Sequence, residues 1–328
     1  MLTERFDRVP HGLVELEVRD IERVFPRPSL IALAGAGDPL FLSVLLHGNE
    51  TTSFEVLCEL VRRYGGEAWP RAALIFIGNV RAAGAGVRYL EGQPDFNRIW
   101  RGEGPGANLA REVIDAAREA NVFASIDIHN NTGANPHYGC INSLRPADLQ
   151  LAAMFAPIGV LYQNPLTTQS MAFSQFCPAI TVECGRNGDR AGVVRAVRLV
   201  EDVMRLEAFA VHAPQSEALS LFETVGRVVI HPDISFCFGE SGAELLLRPD
   251  LEGFNFCEAP EGVQWGASAS PQALRVLNEH GDDITDQFFR RDAGAFVLRR
   301  AVTPAMISTN CEAVRLDCLC YLMKRRPH

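Results

Sequence analysis

Apolar runs and helical periodicities alternate along the first two thirds of the chain. Runs long enough for buried strands lie at residues 30–34, 41–46, 72–77, 122–128, 159–162 and 178–184. Between these runs, apolar residues recur at helical spacing at residues 50–64, 107–120, 149–155, 168–176 and 189–209. Short apolar runs without polar alternation are typical of parallel strands that are covered on both faces. The alternation therefore predicts an α/β layer fold with a largely parallel core sheet.

The pattern changes at both ends of this alternating region. Residues 1–28 are mixed and charged, which predicts a peripheral arm. Beyond residue 212, short β-rich runs separated by Gly and Pro replace the long alternation, for example at residues 228–230. We therefore predict two domains, residues 1–212 and a smaller, mostly-β domain over residues 213–328.

Composition excludes several classes of partner. Of the 328 residues, 47% are hydrophobic and 22% are charged, and the formal net charge is −9, as is ordinary for a globular protein. No basic stripe suggests nucleic acid. No apolar stretch approaches the ~18 residues of a membrane span, and no apolar segment near Met1 suggests a signal peptide.

The nine cysteines are odd in number, and several lie inside apolar runs. This usage favours reduced, buried thiols in a cytoplasmic protein. Cys318-Leu319-Cys320 lacks a second pair of ligands, so we interpret it as strand or core rather than as a zinc site.

A polar turn after residues 41–46 is the first candidate for chemistry. His47 follows this strand directly, and Glu50 falls in the first turn of the predicted helix 50–64. Ligands of open α/β sheets usually bind at the carboxyl ends of strands, and an imidazole with a carboxylate suits zinc. An isolated His-x-x-Glu pattern is also explained by an acid that caps a helix or balances its dipole. The interpretation as a metal site is supported only when residues further along the chain are considered.

A Gly-rich segment at residues 80–105 interrupts the alternation. It contains Arg88, Asp95, Asn97 and Arg98. A loop of this length inside a compact domain is usually functional or disordered, and a solvated run of charge is the alternative. The aromatic and aliphatic residues between positions 95 and 101 argue against disorder, so we interpret the segment as a functional loop.

Two later strands also carry ionisable residues near their ends. His129 follows the run at residues 122–128, and Asp127 lies two positions earlier, on the same strand face. Such a carboxylate can orient a ligand imidazole, although a histidine at a strand end need not be a ligand. Glu183 lies in an otherwise apolar strand, where an acid is costly unless it is paired or functional. Arg186 is the first basic residue after it, which favours a functional Glu183.

Taken in order, these motifs resemble the zinc carboxypeptidase superfamily, and most of all its branch of succinylglutamate desuccinylases and aspartoacylases. The resemblance rests on Arg88 and on His47-Gly48-Asn49-Glu50, Asp95-x-Asn97-Arg98, Asp127-Ile128-His129-Asn130 and Val182-Glu183-Cys184-Gly185. It covers roughly residues 40–190. It implies a three-layer α/β/α zinc-carboxypeptidase-like domain with a mostly parallel or mixed sheet, followed by a smaller C-terminal mostly-β domain.

The resemblance implies a catalytic zinc site with one Zn²⁺ per chain. The implied ligands are His47, Glu50 and His129. Asp95 is implied to be a hydrogen-bond partner of His47 that does not itself bind the metal. Three protein ligands leave one zinc position open, as in catalytic sites.

The same resemblance implies roles for four further residues. Asn97 and Arg98 are implied to bind the carboxylate of the substrate, a task that suits the planar guanidinium. Arg88 is implied to stabilise the developing oxyanion. Glu183 is implied to be the general base and acid, which takes a proton from the attacking water and delivers it to the leaving amine.

The chain departs from the family where substrate specificity is concerned. Aspartoacylase-like enzymes use a further arginine before the catalytic glutamate and a tyrosine in the C-terminal domain. Here only Arg145 lies between the third ligand and Glu183, and no tyrosine stands at the expected place after Pro304. The specificity of succinylglutamate desuccinylase or aspartoacylase is therefore not carried over. His137 and Arg186 are candidate specificity residues.

The sequence thus predicts a zinc-dependent amide hydrolase that removes an acyl group from an N-acylated amino acid or similar small amine. The alternatives are a metallocarboxypeptidase that releases a C-terminal residue, and a non-catalytic zinc-binding relative. Retention of Glu183 argues against the latter, because a binding protein needs no base. The expected partner is a small N-acyl amino acid-like molecule; neither nucleic acid nor a membrane is expected, and a homo-oligomer is left open.

Overall fold

The computed structural model describes residues 1–215, 217–239 and 242–327. Within these ranges the chain forms two compact units. The first unit contains residues 1–130 and 137–220, and the second contains residues 131–136 and 221–327. The domain boundary placed between residues 212 and 213 stays a prediction.

The first unit is a mixed sheet with helices on both faces. Its strands are β1 (Glu4–Phe6), β2 (Ser29–Val44), β3 (Ala68–Ile77), β4 (Ala124–His129), β5 (Tyr138–Ile141), β6 (Ile158–Leu161) and β7 (Ala179–Glu183). Its helices are α1 (Thr52–Tyr64), α2 (Val80–Ala85), α3 (Ala107–Glu119), α4 (Pro146–Phe155), α5 (Gln169–Phe173) and α6 (Arg190–Arg205), with 3₁₀ turns at Leu13–Glu15 and Val18–Arg23.

The strand order of this unit is β1-β2-β4-β7-β5-β6, and β3 also pairs with β2. The β2–β4, β4–β7 and β5–β6 pairs are parallel, whereas β5 runs antiparallel to β7. Helices α1 and α4 both contact α6, while α3 and α5 share a separate apolar cluster with β2 and β3. The predicted three-layer α/β/α fold with a mixed sheet is confirmed.

Strand β2 contains both strands predicted at residues 30–34 and 41–46. Gly37, between the two halves, has a left-handed φ of 64°, and the two halves pair with β3 in opposite directions. The partners in β3 count down from Ile77 along the first half of β2 and count up to Ile77 along the second half. Only the second half pairs with β4, so only this half leads into the polar turn at His47.

Residues 1–28 are not a peripheral arm, and that prediction is wrong. Strand β1 pairs with β2, and Leu13, Ile21 and Phe25 are almost completely buried. Charged residues fill the exposed positions between these side chains. Because the apolar positions are few and widely spaced, the sequence pattern did not reveal them as core.

Helix α2 corrects the interpretation of residues 80–105 as loop throughout. The side chain of Asn79 accepts a hydrogen bond from Ala82 N at the start of α2, and Gly86 ends the helix in the left-handed conformation. A helix of six residues is too short to show a periodicity. The loop therefore begins only after Gly86.

The second unit is mostly β, as predicted, and contains two sheets. Its strands are β8 (Ser220–Ile230), β9 (Phe236–Phe238), β10 (Leu245–Leu247), β11 (Gln264–Ser268), β12 (Leu274–Leu277), β13 (Phe289–Asp292), β14 (Ala295–Leu298), β15 (Thr303–Ala305) and β16 (Cys320–Arg326). Short helices α7 (Thr285–Phe288) and α8 (Cys311–Leu316) and a 3₁₀ turn at Leu251–Phe254 complete it. One sheet has the order β12-β8-β16-β15 and the other β13-β14-β11-β10-β9. Trp265 and Phe289 lie at the centre of its apolar core.

All nine cysteines lie in the described ranges and are free thiols. Cys320 is in β16 and Cys318 is buried beside it, so this segment is strand and core as interpreted from the sequence. Across the described part of the chain, no helix has the length and apolar character needed to span a membrane.

Candidate metal centre and active site

Three side chains from two neighbouring strand ends meet at one point of the first unit. His47 follows β2, Glu50 precedes α1, and His129 is the last residue of β4. One ligand atom from each of these residues lies within 4.8 Å of the others. Because β2 and β4 are parallel neighbours, their carboxyl ends open at the same edge of the sheet.

The two oxygens of Glu50 each face one imidazole. His47 Nδ1 lies 2.7 Å from Oε1, and His129 Nδ1 lies 2.7 Å from Oε2. The backbone N–H of Asn130 also donates to Oε2, at 3.0 Å. Glu50 lies before the first residue of α1, so the sequence-based placement in the first helical turn is wrong by two residues. The carboxylate is therefore a partner of the histidines rather than a cap of the helix.

A close backbone approach fixes the turn that carries His47. The Cβ of any side chain at Gly48 would lie 2.1 Å from the carbonyl carbon of Ala82 in α2. Gly48 N also donates to Arg88 O at 3.1 Å. The glycine between His47 and Glu50 therefore lets this turn pack directly on α2.

The second ring nitrogen of each histidine meets another carboxylate. His47 Nε2 lies 3.0 Å from Asp95 Oδ1, and His129 Nε2 lies 2.8 Å from Asp127 Oδ2. These are the two carboxylates that the sequence placed next to the ligand imidazoles. When Nε2–H donates to such a carboxylate, the lone pair of Nδ1 is free for a metal ion.

Asp127 is held by hydroxyls that sequence reasoning missed. Ser43 Oγ donates to Asp127 Oδ1 at 2.6 Å, and Thr181 Oγ1 donates to Oδ2 at 3.3 Å. Ser43, Asp127 and Thr181 are cross-strand neighbours on β2, β4 and β7. The available signal was the presence of polar residues inside three otherwise apolar runs.

The ionisation of the cluster follows from its mixture of buried charges. Burial opposes charge on Glu50, but His47 and His129 outweigh it and hold the pKa of Glu50 well below 4.5. Burial likewise opposes protonation of His129, but Asp127 and Glu50 raise its pKa well above 6.5. Asp95 is also buried, yet the hydrogen bond from His47 keeps the pKa of Asp95 well below its ordinary range.

This donor set fits a divalent metal ion. Two imidazole nitrogens and a carboxylate converge on one point, each imidazole is oriented by a carboxylate behind it, and the histidines are nearly inaccessible to solvent. Two histidines and one glutamate are a ligand set that catalytic zinc sites use.

The loop after α2 places four further candidates beside the cluster. Arg88 Nε and Nη2 donate to Asp95 Oδ2 at 3.1 and 2.9 Å, and Arg88 Nη1 lies 3.7 Å from Glu50 Oε1. Asn97 Nδ2 lies 3.3 Å from His129 Nε2. Arg98 is half-buried, and its Nη1 donates to Asn97 O at 2.9 Å.

The loop is packed and braced, which contradicts the interpretation as a solvated charge run. Phe96 and Trp100 are buried in the cluster that contains α3 and α5. Asn79 and Gln93 exchange two side-chain hydrogen bonds, of 3.1 and 2.9 Å, across the base of the loop. Sequence reasoning missed this pair, because an amide pair fourteen residues apart leaves no pattern.

Glu183 is the last residue of β7 and lies directly across from His129 in the β4–β7 register. Only 9% of its surface is exposed. Burial raises the pKa of Glu183 to about 8; His129 and Arg88 act against this shift, and Glu50 and Asp127 add to it. A carboxyl with a raised pKa beside possible metal ligands is typical of a general acid–base residue.

The two specificity candidates lie near this strand end. His137 Nε2 lies 2.8 Å from Asp189 Oδ2, and Asp189 accepts from Ala191 N at the start of α6. Arg186 is exposed in the turn after β7. Neither residue belongs to the cluster of possible metal ligands.

Comparison with known proteins agrees with this site. Residues 36–208, more than half of the chain, match the model of the succinylglutamate desuccinylase/aspartoacylase catalytic domain. A succinylglutamate desuccinylase of Pseudomonas syringae pv. tomato is 30% identical over 282 residues, which cover 76% of this chain and 78% of that protein.

Two solved structures share the fold. A succinylglutamate desuccinylase/aspartoacylase from Rhodobacter sphaeroides has a TM-score of 0.59 at 15% identity, and the match covers 90% of this chain and 88% of that chain. Murine aminoacylase 3 has a TM-score of 0.52 at 16% identity, covering 89% of this chain and 97% of that chain. The family model and the similarity along most of the sequence together show that the chain belongs to the succinylglutamate desuccinylase/aspartoacylase family, a family of deacylases.

Proposed function

We propose that this chain is a zinc-dependent amide hydrolase that removes an acyl group from an N-acylated amino acid or a similar small amine. One observation carries the proposal. The two oxygens of Glu50 face Nδ1 of His47 and of His129, while a separate carboxylate lies behind each imidazole. Membership of a family of deacylases supports the same reaction.

His47, Glu50 and His129 would hold one Zn²⁺ per chain. Zinc in such a site supplies Lewis-acid activation of water and of the scissile carbonyl. Asp95 and Asp127 keep the two imidazoles in the orientation and tautomer that a ligand needs.

Glu183 is the proposed general base and acid. Burial raises the pKa of Glu183 to about 8. A bound cation nearby stabilises the carboxylate, so the group becomes able to accept a proton from the attacking water. The same carboxyl then delivers the proton to the leaving amine.

The loop residues are proposed to bind the substrate. Arg88 already presents its guanidinium to the cluster through Asp95, so it can stabilise negative charge that develops on the carbonyl oxygen. Asn97 and Arg98 are proposed to bind the carboxylate of the amino-acid portion. Arg98 suits this role because a guanidinium binds a carboxylate with two parallel hydrogen bonds.

The alternative functions are those of a carboxypeptidase and of a non-catalytic zinc protein. A cytoplasmic location and the small-molecule partner are also proposals, which rest on the cysteine usage and on the family.

The test combines metal analysis with a substrate panel. Purified protein should contain about one zinc per chain, and His47→Ala should lose it while His280→Ala, a change at an exposed histidine, should keep it. The zinc-loaded protein should hydrolyse the amide bond of N-acetyl or N-succinyl amino acids and should not release C-terminal residues from peptides. Release of C-terminal residues alone would favour the carboxypeptidase. Zinc binding without turnover of either class would favour the non-catalytic relative and overturn the proposal.

A further inference from the structure

A groove in the second unit contains charged side chains that the proposed function does not use. The groove has a volume of about 400 Å³. Arg275 of β12, Arg291 of β13, Asp286 of α7 and Asp283 before α7 all line it. A volume of this size accommodates a small metabolite.

Both arginines lack an acidic partner. Among the residues that the structure describes, no carboxylate lies within 4.0 Å of either guanidinium, and Arg275 makes no side-chain hydrogen bond although it is half-buried. Arg291 donates to the backbone oxygen of Ser268, and its guanidinium carbon lies 4.1 Å from the centre of the Phe296 ring. Arg291 is held by these two contacts, and the remaining donors of both guanidinium groups are available to an anion.

The two aspartates have no basic partner either. Asp283 Oδ1 accepts hydrogen bonds from the backbone and the hydroxyl of Thr285, and Asp286 is exposed. No ion pair joins them to an arginine or lysine within residues 217–239 and 242–327. The groove thus presents two positive and two negative groups that the second unit does not neutralise itself.

We propose that this groove binds a free α-amino acid. A simple anion would meet the two aspartates, and a simple amine would meet the two arginines. A ligand that carries both a carboxylate and an ammonium group satisfies both signs of charge. The carboxylate would bind the guanidinium groups, which match its geometry, and the ammonium group would bind the aspartates. This inference does not depend on the proposed hydrolase activity.

Titration calorimetry of the full chain tests the proposal with L-alanine, L-leucine and L-glutamate. Propionate and ethylamine are the matched probes, because they are alanine without its ammonium and without its carboxylate group. We expect at least one of the amino acids to bind, and propionate and ethylamine to bind at least ten times more weakly than that amino acid. Absence of binding by all three amino acids overturns the proposal, and so does an equal affinity for propionate.

Variants locate the binding site. Arg275→Gln and Arg291→Gln should each weaken binding at least tenfold, and Asp286→Asn should weaken it several-fold. Arg290→Gln is the matched control, since Arg290 lies on the same strand as Arg291 but pairs with Asp292 outside the groove. None of the four changes alters a residue of the candidate metal centre. If the amino acid bound at that centre instead, all four variants would therefore keep the wild-type affinity. Unchanged affinity in both Arg275→Gln and Arg291→Gln, with circular dichroism showing folded protein, contradicts the assignment.

Discussion

Most charged side chains of the metal centre have more than one partner. Glu50 meets two imidazoles, and Asp95 joins His47 to Arg88. Replacing either acid therefore disturbs two contacts at once, and a loss of activity would not identify a single role. Glu183 and Arg98 are sharper tests at the residue scale, because neither is a proposed metal ligand.

Glu183→Gln should give folded, zinc-loaded protein with turnover reduced by about 10²–10⁴-fold. The amide keeps the shape and part of the hydrogen bonding of the carboxyl but cannot accept a proton. Metal content, melting temperature and turnover should be measured together, with Glu103→Gln at an exposed loop position as control. Loss of stability with near-normal specific activity would instead make Glu183 a structural residue.

Arg98→Ala should mainly raise KM, because the lost guanidinium binds the carboxylate equally in the ground state and the transition state. Arg101→Ala, an exposed arginine of the same loop, should leave both constants unchanged. Arg88→Ala should mainly lower kcat. Steady-state kinetics with one N-acyl amino acid separates the two effects, and the reverse pattern would exchange the proposed roles of Arg88 and Arg98.

At the scale of elements, the centre depends on the alignment of three neighbouring strands. Ser43, Asp127 and Thr181 form one buried row across β2, β4 and β7, and this row holds the carboxylate that orients His129. A buried carboxylate that accepts several hydrogen bonds has little freedom to move. The sheet thus fixes the position of Asp127, the carboxylate behind the proposed metal ligand His129.

Asp127→Asn should weaken zinc binding by about 10–100-fold, the usual effect of removing such an orienting partner. Competition with a chromophoric chelator measures the affinity without reference to activity. Asp115→Asn, an exposed change on α3, is the control. Ser43→Ala should shift the affinity in the same direction by a smaller factor. Wild-type affinity in Asp127→Asn would show that the imidazole needs no orienting carboxylate.

At the scale of the whole molecule, the proposed metal ion would join segments that are far apart in sequence. His47 and Glu50 lie at the β2–α1 connection, and His129 ends β4. A ligand that binds only the folded state stabilises it, by ~2.7 kcal/mol at 100 times Kd. The two units need not unfold together, so the measurement has to report on the first unit alone.

Tryptophan fluorescence can isolate the first unit. Trp69 and Trp100 are buried there, and Trp265 is in the core of the second unit. In a Trp265→Phe background, removing zinc with a chelator should lower the melting temperature seen by fluorescence, and adding zinc should restore it. The same experiment with His47→Ala should show no response. An equal response in both proteins would place the zinc at another site.

Features that depend on local pattern could be predicted from the sequence. Each helix or strand buries apolar residues at its own characteristic spacing. The α/β alternation and the mostly-β second part could therefore be predicted from the spacing of apolar residues alone. The placement of His47 and His129 at the same edge of the sheet could also be predicted, because the carboxyl ends of neighbouring parallel strands lie at one edge.

Tertiary structure alone decided the features that depend on register and distant packing. The hydroxyls of Ser43 and Thr181 meet Asp127 only because three strands align at one level, and Gln93 meets Asn79 only because the loop folds back on its start. The burial of Leu13, Ile21 and Phe25 and the reversal of pairing within β2 have the same origin. Each of these contacts joins residues whose separation in the chain leaves no periodicity, so only the folded backbone brings them together.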